Sequence, residues 1–367
     1  MKTNEKRVSI SLEPDTISKL GDLSKVVFVD IETTGLSREY NHIYMLGLAT
    51  YNAGDWCVCQ FMAENASEEK EILLKFIEKI SPYGMLVHFN GNSFDLPFIL
   101  KRCEANGIDF NFDSYEGLDI YKRIYSLKHI LRLSSCKQKS IEGFMGIERD
   151  DEYNGRDLIK VYREYTESHD EELCNFLILH NYEDVLGMIR LLPILNYCDI
   201  FSEDILVKKV QTNVYNDVNS LSKKELVMTL KLPSALVKPV NFNANGCYFT
   251  ASGKEAVLKV PLFQEEMKYF YENYQDYFYL PEEDMAIHKS VSEYVDRDFR
   301  QQAKASDCYT RKYADYLQQW SDEFEPVFKR EYSSPLMFFE LTDELKSSRA
   351  VFNKYAQHVL AMMYNEK

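Results

Sequence analysis

Five side chains in this sequence have the types and spacing for chemistry. Asp30 and Glu32 end a short apolar run, Val26-Val-Phe-Val, and Thr33-Thr-Gly35 follows them. Side chains on a strand alternate with period two, so both carboxylates point to one face. Side by side at a sheet's end they repel and lose solvation, which a cation or a shared proton must offset. The bland alternative is a pair of strand-end acids facing water. Asp95 closes the turn after a second apolar run, in His88-Phe-Asn90-Gly-Asn-Ser-Phe-Asp95. His180 and Asp184 stand four apart in a long apolar-periodic segment, which stacks them on one helix face. Four carboxylates exceed the needs of one cation. They suit two Mg²⁺ or Mn²⁺ ions about 3.5–4 Å apart, one lowering the pKa of an attacking water, the other stabilising a leaving oxygen in an in-line phosphoryl displacement. His180 is placed to orient that water or take its proton, because imidazole titrates near neutrality. Taken alone, it reads equally well as a satisfied core histidine.

The elements that position these residues follow from pattern. The run ending at Asp30 is a buried strand, being apolar, rich in β-branched residues and closed by a glycine turn. Residues 42–52 and 56–62 read as two strands joined around Ala53-Gly54-Asp55. A helix starts at Ser67, carries Ile72, Leu73, Phe76, Ile77 and Ile80 on one side, and stops at Pro82 and Gly84. Residues 85–89 are a further strand. Ser93 is placed to cap the next helix, which holds Asp95 in its first turn and ends at Asn106-Gly107. Residues 155–165 read as another helix. Ser168-x-x-Glu171 has the capping-box pattern for the segment 173–192, which stops at Pro193. The order predicts an α/β layer architecture with a mixed sheet, on which the acids converge outside the strand ends.

Composition narrows the class. The 367 residues carry 43 Lys and Arg against 58 Asp and Glu, a formal net charge of −15. That excludes a protein coating nucleic acid through a large basic surface, but allows an enzyme that grips a few phosphates and leaves the rest to metal ions. Against this background residues 121–139 stand out: Lys122, Arg123, Lys128, Arg132, Lys137 and Lys139 occur with no acid between them. The stretch is the best candidate for phosphate contact, a solvated helix face being its plain alternative. Asp119 beside it reads as a strand-end acid. The eight cysteines include no Cys-x-x-Cys pair, so reduced buried thiols and no zinc site are expected. With no apolar run of 18 residues and no apolar signal core, a cytoplasmic protein without a membrane span or secretion signal is expected.

Three motifs in this order carry a resemblance. Asp30-x-Glu32-Thr-Thr-Gly, the Asn90-to-Asp95 segment and the late helix with Asp184 resemble the DEDD exonuclease superfamily, of ribonuclease H-like fold. Lys139-x-Ile-Glu-Gly-Phe-Met-Gly-Ile147-Glu-Arg149-Asp-Asp, with His180-Asn-Tyr182-Glu-Asp184-Val, is similar to its YprB-like group. The resemblance covers about residues 24–195. It implies a metal-dependent 3′-5′ exonuclease acting on single-stranded DNA or RNA ends, with Asp30, Glu32, Asp95 and Asp184 as metal ligands. Thr33 and Leu36 would touch the terminal nucleotide, and Asn90 is a further candidate for substrate contact. One position departs: a tyrosine four residues before the last aspartate, or a histidine five before, is the superfamily pattern, whereas His180 stands four before and Leu179 five before. Tyr182, two before, would face away. The competing reading is a nuclease fold that has lost catalysis and serves as a nucleic-acid-binding or scaffold protein.

Residues 1–23 read as a polar lead-in, 24–197 as the ribonuclease H-like domain, and 198–367 as a second, α+β domain outside the resemblance. Strands are expected over 205–218, 225–232, 240–250 and 256–263, and mostly helix after Pro281. The aromatic crowd at 267–279 reads as a helical core stripe through Phe270, Tyr274, Tyr277 and Phe278 rather than a base-stacking platform. The mixed basic, acidic and aromatic stretch 288–312 reads as a salt-bridged surface helix.

Overall fold

Apolar alternation in the first half of the chain builds one six-stranded sheet in the computed structural model, which describes residues 1–151, 155–202, 204–216 and 219–366. Its strands are β1 (Lys2–Val8), β2 (Val26–Thr33), β3 (Ile43–Asn52), β4 (Asp55–Met62), β5 (Met85–His88) and β6 (Glu116–Asp119). The spatial order is β1-β4-β3-β2-β5-β6. β2 pairs antiparallel with β3 and parallel with β5, so the sheet is mixed, as the pattern predicts. The β3–β4 turn is the expected two-residue hairpin: Ala53 and Gly54 both have positive φ, 53° and 97°, between Asn52 and Asp55. The expected polar lead-in is corrected by β1. Its residues pair with β4 from Lys2↔Met62 to Val8↔Trp56 and close that edge, although their charged outward side chains read as coil.

Helices cover both faces: α1 (Pro14–Ile17), α2 (Glu69–Ile80), α3 (Asp95–Ala105), α4 (Ile120–Tyr125), α5 (Gln138–Met145), α6 (Gly155–Ser168) and α7 (Glu171–Leu191). On one face Val27, Val29, Ile31, Leu46 and Leu48 pack with Ile72, Leu73, Phe76 and Ile80 of α2 and Phe98 and Ile99 of α3. On the other, Tyr44, Met45 and Met62 pack with Leu158, Tyr162 and Tyr165 of α6 and Cys174 and Leu177 of α7. Each fully buried side chain of this size contributes about 1.5–3 kcal/mol by leaving water. A buried fork fastens α3 to α2: Arg102 Nε and Nη2 donate to Glu69 Oε1 and Oε2 at 2.8 and 2.7 Å, and Ile43 N adds a 2.8 Å bond to Oε1. Two caps differ from expectation. Phe94, not Ser93, is the N-cap of α3, and Asp170, not Ser168, caps α7 by accepting from Glu172 N at 2.8 Å. Ser168 instead ends α6 and donates to Glu164 O.

The chain divides into two compact units, Met1–Cys198 with Ser234–Lys238, and Asp199–Pro233 with Pro239–Lys367. In the first, Tyr197 OH donates to Lys238 O at 2.9 Å and Asn196 Nδ2 to Ala235 O at 2.8 Å. The second unit is sheet-rich: β7 (Leu206–Asn216), β8 (Ser222–Ala244), β9 (Cys247–Phe270), β10 (Tyr277–Leu280), β11 (Met285–His288), β12 (Gln301–Gln302), β13 (Tyr309–Gln319) and β14 (Met337–Glu340) precede two helices, α8 (Asp343–Ser347) and α9 (Arg349–Asn365). Five strands order as β14-β13-β9-β8-β7 and three as β11-β10-β12. Four expectations are corrected. The strand expected at 225–232 and the first half of that expected at 240–250 belong to one long β8, whose prolines lie beyond Lys231, where pairing with β7 ends and no donor to β7 is needed; residues 245–246 turn the chain and 247–250 open β9. The aromatic stripe at 267–279 is not one helix: Phe270 ends β9, Tyr274 starts a short 3₁₀ turn, and Tyr277 and Phe278 open β10. Residues 288–312 are short 3₁₀ turns and strand, not a surface helix. After Pro281 short strands, 3₁₀ turns and irregular segments, not α-helix, run up to α8. Positions 217 and 218 of the strand expected at 205–218 lie outside the described residues.

Candidate active site

The site forms on the α7 face of β2. Asp30 and Glu32 sit opposite Gly47 and Met45 of β3 and share that face. Gly47 is required here: a Cβ would collide with the side-chain amide of Asn181 on α7. Through that gap Asn181 Nδ2 donates to Asp30 Oδ2 at 2.8 Å, while its Oδ1 accepts from Gln60 Nε2 at 2.8 Å. β5 leaves β2 after Phe28↔Val87, which opens the strand end. Asp95, the first residue of α3, comes in there, and its carboxylate accepts from the Ile31 backbone N–H.

α7 brings the other half. His180 Nε2 lies 3.5 Å from Glu32 Oε1 and 3.2 Å from Asp184 Oδ2, on one helix face as the i, i+4 spacing predicts. Its Nδ1 meets Asp151 Oδ2 at 2.6 Å, and Lys139 Nζ holds the same oxygen at 2.7 Å. Arg149 Nη1 donates to Asp184 Oδ1 at 2.5 Å. Tyr182 points elsewhere, with Lys6 over its ring at 4.7 Å. Glu32, His180 and Asp184 each offer one ligand atom, all within 4.8 Å of one another, the chemistry of a divalent-metal position.

The electrostatics split along the same line. Burial, then the charges of Asp184, Glu32 and Asp95, push the Asp30 carboxyl well above its ordinary range. Burial outweighs the pull of His180 and lifts Glu32 to about 8, and burial lifts Asp95 to about 7. Burial works against the His180 cation, but Asp184, Glu32 and Asp151 prevail and raise it to about 9. Asp184 goes the other way: burial would raise it, yet His180 and Arg149 hold it below the usual carboxylate range.

A crevice of about 510 Å³ opens from Asp30 and Asp95. Phe89, Asn90, Phe94, Tyr121, Tyr125, Lys128 and Lys137 line it. Phe89 and Tyr121 meet edge-on at 6.0 Å between ring centroids, and Tyr121 and Tyr125 tilt together at 5.5 Å. Of the residues expected to touch substrate, Asn90 and Lys128 line this crevice. Lys122, Arg123 and Arg132 are exposed and are not among the lining residues. Thr33 is buried and donates to Gly35 O at 2.8 Å, and Leu36 is 77 % exposed. Asp119 is the strand-end acid expected: it caps α4 and accepts from Asn90 N at 2.9 Å. Sequence reasoning gave no role to Arg149, Asp151, Asn181, Gln60, Tyr121 or Tyr125. Arg149 and Asp151 do fall in the Lys139-to-Asp151 run, but their partners on α7, Asp184 and His180, are distant in sequence and no spacing rule connects them.

Residues 27–196 match the model of the RNase_H superfamily. The first unit has a ribonuclease H-like fold. Short stretches are similar to two DNA polymerases: 49 % identity over 47 residues with that of Ostreid herpesvirus 1 (isolate France), and 38 % over 48 residues with that of Methanocaldococcus jannaschii. These cover 12 % and 13 % of this chain but 2 % and 3 % of the polymerases, so the chain spans only a small part of its curated relatives. Among solved structures, the family B DNA polymerase from the archaeon Pyrobaculum calidifontis aligns over 48 % of this chain and 26 % of its own, at 18 % identity and a TM-score of 0.37. The zinc-bound complex of E. coli ExoI with ssDNA aligns over 58 % and 55 %, at 10 % identity and a TM-score of 0.30. Among the described residues no helix is long and apolar enough to cross a membrane.

Proposed function

We propose that the ribonuclease H-like unit is a metal-dependent nuclease that removes nucleotides from the 3′ ends of single-stranded DNA or RNA, of the DEDD type and its YprB-like group. What supports this reading is the gathering of Asp30, Glu32, Asp95, His180 and Asp184 within one another's electrostatic reach, with Asp30 and Asp95 lining the crevice. The buried strand acids, pushed upward in pKa, fit a divalent cation, with Glu32, His180 and Asp184 as one ligand set and Asp30 and Asp95 beside it. Bound Mg²⁺ or Mn²⁺, two ions in the fullest form of this reading, would activate water at neutral pH and stabilise the charge of the leaving oxygen.

The chain's own residues supply the rest. Asp151 fixes the His180 ring through Nδ1, which leaves Nε2 facing Glu32 and Asp184 as the atom it would offer an ion. Lys128 and Lys137 supply positive charge to phosphates in the crevice. Phe89, Tyr121 and Tyr125 offer faces on which unpaired bases stack, which supports a single strand over a duplex. The 3′ direction rests on the resemblance of the acid motifs. Purified protein with end-labelled DNA and RNA oligonucleotides, in Mn²⁺, Mg²⁺ or EDTA and beside Asp30→Ala, tests the reading. Metal-dependent shortening from the 3′ end, lost in Asp30→Ala, is the expected result. Binding without shortening in any metal overturns it in favour of a nucleic-acid-binding protein.

A further inference from the structure

The acid site contains a cation of its own. The Arg149 side chain is 8 % exposed, and its guanidinium bridges two carboxylates: Nε and Nη2 take both oxygens of Glu142, and Nη1 takes Asp184 Oδ1. Glu142 is 1 % exposed and also accepts from Gln138 Nε2 at 3.0 Å. Gln138 Nε2 in turn donates to the backbone oxygen of Asp184 at 2.8 Å. The group is seated against α7 at Gly187, one turn past Asp184, where a Cβ would collide with Glu142 Oε1. Three contacts and a cleared helix face make this a built arrangement, not a chance surface pair.

Its consequence is electrostatic. A guanidinium keeps its charge at any working pH. Asp184 therefore has Oδ1 committed to Arg149, with Oδ2 turned to His180 Nε2. Any divalent ion at Glu32, His180 and Asp184 must load beside a fixed positive charge. Glu142 neutralises part of that charge from the far side.

We infer that Arg149 is a positioning residue that sets how tightly the acid site takes a divalent cation, by fixing Asp184 through Oδ1 and opposing the ion with its own charge. Glu142 tunes it from behind. This rests on the reading of the site as a metal-dependent nuclease. The two partners then act in opposite senses, which a scaffold role would not produce.

The test is Mn²⁺ titration calorimetry on the full chain as wild type, Arg149→Gln and Glu142→Gln, with circular dichroism for folding and strand degradation for turnover. In Arg149→Gln the Mn²⁺ dissociation constant falls about fivefold or more, the lower end of ordinary site-to-site coupling. Turnover falls in the same variant because Asp184 is no longer held. Glu142→Gln moves the constant the other way, to weaker binding. Unchanged or weaker Mn²⁺ binding in a folded Arg149→Gln overturns the inference. Should that variant not fold, unchanged or tighter binding in Glu142→Gln overturns it. No Mn²⁺ binding by any of the three also overturns it. Mn²⁺ binding by a wild type that shortens no strand overturns the nuclease reading alone, and the affinity comparison still decides the role of Arg149.

Discussion

The strand half and the helix half of the acid site are built on opposite electrostatic plans. On β2 and the start of α3, Asp30, Glu32 and Asp95 crowd together and burial pushes all three carboxyls upward. On α7 and the segment before it, three acids have cations from the chain itself: Asp184 has His180 and Arg149, Asp151 has His180 and Lys139, and Glu142 has Arg149. The helix half is neutralised when the chain folds. In the strand half His180 lies 3.5 Å from Glu32, and an external cation or protons must offset the rest of the negative charge. The asymmetry says from which side a ligand must be drawn.

The hardest blow to this comparison comes from the strand half. Asp30→Asn or Glu32→Gln removes charge that the chain does not replace. Either should lower metal-dependent strand degradation by roughly 10²–10³-fold or more, the range for loss of a preorganised electrostatic partner. A quantitative gel assay at saturating substrate reads this, and activity within tenfold of wild type would mean that the strand acids do not face the reacting phosphate. Next comes the support behind the helix half. Asp151→Asn keeps the shape but loses the charge that orients His180. Turnover should drop about 10–100-fold, as for other partners behind a site histidine. KM should hardly move, since Asp151 lies behind the ring and away from the crevice lining. A KM effect without a kcat effect would place Asp151 in substrate contact instead.

A smaller effect gives the sharpest contrast, because its sign differs between the halves. In metal-free protein at pH 8, Asp95→Asn relieves repulsion among buried acids. The melting temperature should rise by about 2–4 °C, equivalent to ~1 kcal/mol in a domain of this size. Asp184→Asn should lower it, since His180 and Arg149 then lose a carboxylate that folding had paired with them. Two shifts of the same sign in calorimetric melts would abolish the distinction between the halves.

Much of the strand half was legible in the sequence, because period two on β2 and a turn into α3 are local rules. The i, i+4 pair His180 and Asp184 was legible for the same reason. The residues that support the site were not: Arg149 reaches Asp184, Asp151 reaches His180 and Asn181 reaches Asp30 from positions 29–151 residues away, across tertiary contacts that no spacing encodes. The second unit failed on different grounds. Its strands β10, β11 and β12 have four, four and two residues, too short for a period to show. The two strands expected at 225–232 and 240–250 left a gap over 233–239, where β8 continues past the end of its pairing with β7. Dense Tyr and Phe there fit a helical stripe as well as alternating strand faces.

A second arginine fork in the same unit shows what such a pair does away from the acids of β2. Arg102 grips Glu69 through both carboxylate oxygens, as Arg149 grips Glu142, but Glu69 ties α2 to α3 and β3. Burial would raise the Glu69 carboxyl; Arg102, the Ile43 N–H and Asn106 outweigh it and hold it below its ordinary value. A depressed folded-state pKa adds stability above the unfolded value of about 4.5 and loses it as pH falls through the folded value. Asn106→Ala removes one 3.0 Å bond to Glu69 Oε2 and should cost about 1 kcal/mol at pH 7. The cost should shrink below pH 4.5 as Glu69 takes a proton, and metal should not alter it. Urea melts of wild type and variant from pH 7 to pH 3, with and without Mn²⁺, read both dependences. A cost that is flat with pH would mean that Asn106 acts only through its bond to Arg102 O at the end of α3. A cost that changes with Mn²⁺ would join this fork to the acid site and remove the difference between an arginine that holds the fold and one that tunes a ligand position.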